Sequence, residues 1–282
     1  MKLEARGIAL VVVAVSILQI GAAFAVTLFD ELGAAGTSLL RLGLAAVVLL
    51  AVWRPRMWSP PAPRADLLVT IAFGVALGTM NLAIYEAMQR IPIGAAVTIE
   101  FAGPLGLAVA LSRRALDLVW VALAAAGIML LTNPFGTSDL DGAGIAFALL
   151  AAAAWAAYIP ISARTGTLFP GGSGLAIAMV VAALLIAPAG IAQGGERLLE
   201  PALLAQGAVV ALASSVIPYS LELESLRRIP ARVFGVLMSL EPAVAALAGF
   251  IVLGQALGAE ELLAIGLVVA ASAGAAAGAE GP

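Results

Sequence analysis

Three charged side chains stand where charge is costly. Glu100 lies in the apolar run RIPIGAAVTIEFAGP (Arg90–Pro104), Glu241 in RIPARVFGVLMSLEP (Arg228–Pro242), and Arg41 in LLRLGLA. A charge at mid-bilayer costs at least about 2.5–3.5 kcal/mol on insertion scales, so each is a functional hypothesis by default. Glu100 is eight residues past Pro92, about 12 Å deep at the helical rise per residue. Glu241 is similarly deep past Val233, and Arg41 lies about 10 Å past Ala34. Two uses are open. Arg41 neutralises one acid in a fixed internal ion pair, or the charged groups face a cavity and hold a ligand. One arginine cannot neutralise two carboxylates, so the acid left over is protonated, bound to a polar donor or exposed to a wet cavity. The first of these suits a proton-coupled step.

Prolines accompany the acids. Pro104 has no N–H, so the carbonyl of Glu100, four residues back, loses its helical partner. Pro242 does the same to Met238, Pro218 to Ser214 and Pro160 to Ala156. Broken helices at membrane depth are tolerated where the freed groups meet protein or line a cavity. Polar side chains gather on corresponding stretches: Thr79, Asn81 and Tyr85 on one, Ser214, Ser215, Tyr219 and Ser220 on another, with Gln19, Trp155 and Tyr158 able to contribute. Any one of these can serve helix–helix hydrogen bonding; as a set they predict the lining of one site. The candidates are Arg41, Asn81, Tyr85, Glu100, Trp155, Tyr158, Ser215, Tyr219 and Glu241, with helix breaks at Pro104, Pro160, Pro218 and Pro242. Glu86, Glu222 and Glu224 sit near span ends, where side chains reach the headgroups, and are read as interfacial.

The elements that must position these residues follow from composition. The chain is 63% hydrophobic and 11% charged, with a mean hydropathy of +1.11. A soluble domain has about 25% charged residues, so this is a polytopic, all-α membrane protein. Runs of about 20 apolar residues mark ten spans: Gly7–Leu28, Ala34–Trp53, Leu67–Ala87, Ile93–Leu111, Leu118–Thr132, Gly142–Ala163, Gly174–Ala192, Leu203–Leu223, Val233–Leu253 and Leu262–Ala279. The breaks are short: Phe29-Asp30-Glu31, the proline-rich Arg54–Arg64, Ser112-Arg113-Arg114, Asn133-Pro134-Phe135-Gly136, Pro170-Gly171-Gly172 and Gly194-Gly195-Glu196. None can hold a soluble domain. Ala23-Phe24-Ala25 has the form of a signal-peptidase site, but Gly7–Leu28 exceeds the roughly 7–15 residues of a secretory core and is read as a span.

Lys and Arg set the orientation. With the N-terminus cytoplasmic, eleven of the fourteen fall on inner segments, only Arg90 and Arg197 on outer ones, and Arg41 within a span. Both termini are therefore expected inside. Arg90-Ile91-Pro92 recurs as Arg228-Ile229-Pro230, and Pro104 as Pro242, 138 positions later; Gly7-Ile8-Ala9 recurs as Gly144-Ile145-Ala146. The unit is five spans, and five is odd, so the second copy enters the membrane from the other side. The expectation is two inverted five-helix repeats, residues 1–137 and 138–282, around a central midplane cavity. Gly74-x-x-x-Gly78 is read as helix packing. Pro170–Gly174 lacks the lysine and preceding strand of a phosphate loop.

Several classes are excluded. Without His or Cys there are no disulfides, thiol or imidazole chemistry, haem, or most transition-metal sites; no cofactor or metal is expected. No basic patch with interleaved aromatics points to nucleic acid. A rhomboid-like protease needs a His, and an aspartyl intramembrane protease needs paired Asp within spans, whereas every Asp here is in a loop or at a span end. A channel is disfavoured because inverted repeats with broken helices suit alternating access. Phosphorylated cargo usually needs several Arg or Lys, and only Arg41 is at depth.

NLAIYEAMQRIPIGAAVTIEFAGPLGLAVALSRR (Asn81–Arg114) and PYSLELESLRRIPARVFGVLMSLEPAVAALAGFIVLGQAL (Pro218–Leu257) resemble the EamA branch of the drug/metabolite transporter superfamily. They look most like its threonine/homoserine (Rht-type) exporters, over nearly the whole chain. The resemblance implies ten helices in two inverted repeats, alternating access, and export of amino acids from the inner membrane, with drugs or other metabolites as the alternative cargo. A zwitterion needs an acceptor for its ammonium, which Glu100 or Glu241 with freed carbonyls can supply. It also needs a donor for its carboxylate, from Arg41 with Asn81 or Tyr85. The partners expected are thus an amino acid, protons and the lipid bilayer; a monomer is compatible with all of this.

Overall fold

Backbone amides in hydrocarbon must find partners within the chain, and apolar runs of this length do so as helices. A computed structural model describes residues 2–54, 64–111, 115–132, 140–169, 171–226, 228, 229, 234 and 237–278. Among the described residues all regular structure is helical: α1 (Lys2–Val26), α2 (Phe29–Trp53), α3 (Arg64–Met88), α4 (Ile93–Glu100), α5 (Ala102–Leu111), α6 (Ala115–Thr132), α7 (Gly142–Leu168), α8 (Ser173–Gly194), α9 (Pro201–Ala211), α10 (Ile217–Leu226), α11 (Glu241–Leu253) and α12 (Ala259–Gly278). A 3₁₀ turn, Gly195–Leu199, joins α8 to α9, and a π-helical segment, Leu212–Val216, joins α9 to α10.

Among the described residues six stretches are long and apolar enough to cross a membrane: Ala5–Val26, Phe29–Trp53, Asp66–Met88, Gly142–Leu168, Ser173–Leu199 and Pro201–Glu222. Ile93–Leu107, Leu118–Leu130 and Glu241–Leu253 are shorter apolar helices. With α12, these occupy the ten expected spans. The chain is a multi-pass membrane protein.

Three breaks fall as the prolines dictate. The fourth span parts at Phe101 into α4 and α5, with Pro104 in the first turn of α5. The ninth resumes as α11 at Glu241-Pro242 after a turn at Ser239-Leu240. The eighth widens into the π segment just before Pro218. Pro160 breaks nothing: α7 runs unbroken from Gly142 to Leu168 through it. One proline removes one hydrogen bond, and the turns on either side keep theirs. Pro188 is likewise inside α8.

Phe29-Asp30-Glu31 falls in the connection between the first two spans, as expected, but it is helical rather than extended. It lies in a short helical turn, Phe29–Leu32, that a kink at Gly33 (φ 69°, ψ 169°) separates from the long part of α2, which runs from Ala34 to Trp53. Asp141 caps α7 by accepting from the Ala143 N–H at 3.1 Å. Most of Arg54–Arg64, all of Ser112–Arg114 and Asn133–Gly136, Pro170, and the expected boundary after residue 137 lie outside the described residues.

The two halves make matched contacts. α2 packs on α8, α6 on α12 and α4 on α11; α7 packs on α3, α4 and α5 as α1 packs on α10 and α11. Gly7 abuts Ile229 and Arg228, while Gly144 abuts Ile91 and Arg90, so each copy of one recurring motif sits on the other half's copy of the second. Arg90 pairs with Glu86 at 2.5 Å and Arg228 with Glu224 at 2.6 Å. Gly33 (φ 69°) and Gly171 (φ 61°) hold left-handed backbone that glycine adopts freely, one against Gln193 and the other against Trp53.

Close approaches bring the broken spans to the centre. A Cβ on Gly94 would lie 2.7 Å from the Ala246 Cβ, which lets α4 cross α11 tightly. Gly103 presses on the Ala152 carbonyl of α7. Glu100 and Glu241 are thereby carried into one interior space.

Candidate functional site

That space is a cavity of about 730 Å³. Arg41, Asn81, Tyr85, Glu100, Trp155, Tyr158, Tyr219 and Glu241 line it, as does Pro104. Eight of the nine side chains expected at the site therefore share one surface, contributed by α2, α3, α4, α7, α10 and α11. The ninth, Ser215, is fully buried behind Arg41 and holds it. Pro160, Pro218 and Pro242 do not line the cavity. Thr79 and Ser220 do not reach it either; the Ser220 hydroxyl donates to the Val216 carbonyl of its own helix.

Arg41 is 6% exposed, and its guanidinium makes three hydrogen bonds. Nε donates to Ser215 Oγ at 3.0 Å, Nη1 to Tyr85 Oη at 3.1 Å, and Nη2 to the Ser214 carbonyl at 2.6 Å. The Tyr85 ring also lies against the cation, 5.3 Å from its centroid. Ser214 O is the carbonyl that Pro218 deprives of a helical partner. The π segment turns it, with Ser215, toward α2. Single-turn π-bulges of this kind recur at functional sites.

The fixed ion pair weighed from sequence is not formed. Among the described residues every partner of Arg41 is neutral and no carboxylate is within ion-pair distance of it. A guanidinium has five N–H donors, and these partners take three. Neither Glu100 (7% exposed) nor Glu241 (5%) is hydrogen-bonded to another described residue. The cavity thus holds a cation and carboxylates side by side, each with unused capacity.

Glu222 lines the same wall, three residues past Tyr219 on one face of α10. Reading it as interfacial was wrong. Its distance from the span end is short, but its face points inward. The i, i+3 spacing from Tyr219 was the available signal. Glu224, on the next face, does behave as a span-end residue in its pair with Arg228. Glu86 is buried rather than interfacial, bonded to Arg90 and reached by Gln193 Nε2 at 3.5 Å.

Most of the remaining lining is apolar or aromatic, such as Met80, Ile84, Met88, Val97 and Leu105, with Phe101 edge-on to Trp155 at 4.9 Å; Gln19, Ser162 and Ser239 add polar groups. Tyr158 is tilted against Phe73 at 5.1 Å. Asn81 spends its Nδ2 on the Leu77 carbonyl at 2.8 Å, which leaves Oδ1 as its open end. Gln19, Leu18 and Ala22 come from α1. Among the described residues no cluster of His, Cys, Asp or Glu has the arrangement of a metal site. Such a cavity can hold a small molecule that carries both a carboxylate and an ammonium.

Residues 142–276 match the EamA-like transporter family. Over 269 residues, 95% of this chain and 90% of the relative, the sequence is 42% identical to the threonine/homoserine exporter RhtA of Escherichia coli strain K12. It is 40% identical over the same shares to the RhtA of Salmonella typhimurium strain LT2. The uncharacterized transporter YwfM of Bacillus subtilis is 30% identical over 198 residues, 70% of this chain and 62% of that one. A crystal structure 17% identical in sequence superposes with a TM-score of 0.61, over 96% of this chain and 97% of that chain, a likeness of fold alone.

Proposed function

This chain belongs to the EamA-like transporter family, and on that premise we propose that it exports threonine, homoserine and similar small neutral amino acids across the inner membrane by alternating access. One observation carries the cargo assignment. Among the described residues Arg41 is the only cation lining the cavity, held by neutral partners with donors to spare, while Glu100 and Glu241 line the same space with no hydrogen-bond partner among those residues. Arg41 binds the cargo carboxylate, and a guanidinium's planar fork suits carboxylate geometry. Glu100 and Glu241 take the ammonium. The apolar walls set the size of the side chain admitted.

Positive-inside charge supports cytoplasmic termini, and the matched contacts of the halves support an inverted pair, residues 1–137 and 138–282. On that orientation the cavity extends toward the cytoplasmic ends of α7 and α10, where Ser162, Ala163 and Glu222 line it. The opposite ends are tied. Gln193 Oε1 accepts from the Ala35 N–H at 2.9 Å, Gln255 Oε1 accepts from the Ile93 N–H at 3.2 Å, and Arg197 pairs with Glu31. This is the arrangement of a loading state. Cargo enters from the cytoplasm, settles between Arg41 and the acids, and leaves when the outer ties part. Protons can serve the same carboxylates on the return.

The test is counterflow. Proteoliposomes preloaded with threonine or homoserine should accumulate labelled threonine in a saturable way. The absence of counterflow for any amino acid, with no effect of E100Q or E241Q, would remove the proposal.

A further inference from the structure

Gln19 is the lining residue whose state is least comfortable without a ligand. It is 2% exposed, and its Oε1 is buried with no hydrogen-bond partner among the described residues. An unsatisfied buried polar group is costly, so a native site that keeps one calls for a reason. The neighbouring polar groups are differently placed. Asn81 is anchored to the Leu77 carbonyl, Ser162 donates to the Ile159 carbonyl at 2.9 Å, and the Tyr158 and Tyr219 side chains are only half buried.

The position of Gln19 is fixed from behind. Gly21, two residues on, lets α1 approach the π segment so closely that a Cβ there would lie 2.5 Å from Ser214 Oγ. The carbonyl of that same Ser214 anchors Arg41. The neutral carboxamide of Gln19 therefore lines the cavity from the helix that packs on the arginine's own support. Within a bound hydroxy-amino acid, Arg41 answers the carboxylate and the glutamates answer the ammonium. What remains is one hydroxyl, both donor and acceptor. A carboxamide is also both.

We infer that Gln19 is the specificity-determining residue that hydrogen-bonds the side-chain hydroxyl of the cargo. This rests on the amino acid export reading above. The hydroxyl completes the hydrogen bonding that the buried carboxamide lacks. An analogue without it leaves Gln19 unsatisfied, and sites built around a hydrogen bond discriminate strongly against such analogues.

The experiment uses the full-length protein in proteoliposomes, with threonine, homoserine and 2-aminobutyrate competing against labelled threonine or labelled 2-aminobutyrate. 2-Aminobutyrate is the deoxy form of both hydroxylated cargoes. The wild type should prefer threonine and homoserine by roughly tenfold or more. Q19L should abolish that preference while its 2-aminobutyrate uptake is kept, and Q19N or Q19S should restore part of it. If Q19L lowers all three alike, or changes none, Gln19 does not read the hydroxyl and this inference alone is overturned. If the wild type takes up none of the three, the export reading fails and takes this inference with it.

Discussion

Arg41 donates from Nη2 to the carbonyl of Ser214 at 2.6 Å, and Pro218, four residues on, is the reason that oxygen is free to accept. A proline on α10 thus creates the acceptor that orients a cation on α2. The arginine is held without spending its charge on a carboxylate. That leaves the charge available, as the proposed binding of a cargo carboxylate requires.

Pro218→Ala follows directly. Alanine supplies an N–H that competes with Arg41 for the Ser214 carbonyl and lets the π segment relax toward regular α-helix. The expected result is an unchanged or higher melting temperature together with roughly tenfold weaker threonine binding, the scale of one charge-assisted hydrogen bond. A thermal melt and a binding titration on the same preparation separate the two effects. A variant that loses stability and keeps affinity would show that the bulge is only structural.

The three carboxylates should not be equivalent. Glu100 and Glu241 are nearly fully buried in the cavity that Arg41 lines, whereas Glu222 is only half-buried, further along α10. E100Q and E241Q should each lower counterflow by about tenfold or more, since hydrogen bonds to charged groups contribute about 1.5–3 kcal/mol. E222Q should cost only a few-fold, because a partly exposed charge is more strongly screened by water than a buried one. Initial rates across threonine concentrations measure this. Equal losses from all three would contradict the placement.

The matched packing of the halves gives a stability prediction. A Cβ on Gly7 would come 2.5 Å from the Ile229 Cγ2, and one on Gly144 would come 2.7 Å from the Ile91 Cγ2. Gly7→Leu and Gly144→Leu should therefore destabilise by similar amounts, about 1–3 kcal/mol each for overpacking, read as equal falls in melting temperature in detergent. A large effect at one site with none at the other would show that the contacts are not equivalent.

The sequence was most legible where it broke rules. Acids and prolines in apolar runs are rare enough that Glu100, Glu241 and Pro104 announced themselves, and the recurring Arg-Ile-Pro motif placed them on corresponding spans. Depth along a helix is also easy to count, but the face is not. Glu222 and Glu224 are at similar depth, and only the packing of α10 decides that one lines the cavity while the other pairs with Arg228. Nor does a proline say how its helix will respond: α7 carries Pro160 without interruption, while α9 and α10 meet in a π-bulge before Pro218. The partners of Arg41 were hidden for the same reason, because choosing a serine, a tyrosine and a carbonyl over two nearby acids is a matter of tertiary geometry.

The central claim is that Arg41 binds the carboxylate of an amino acid, and a calorimetric titration of threonine into the purified protein tests it most directly. The wild type should bind saturably and R41A should show no binding. R41K should bind at least about tenfold more weakly, because an ammonium cannot present the planar fork of a guanidinium. Retained helical circular dichroism would show that the variants are folded. Threonine binding to folded R41A with wild-type affinity would contradict the account.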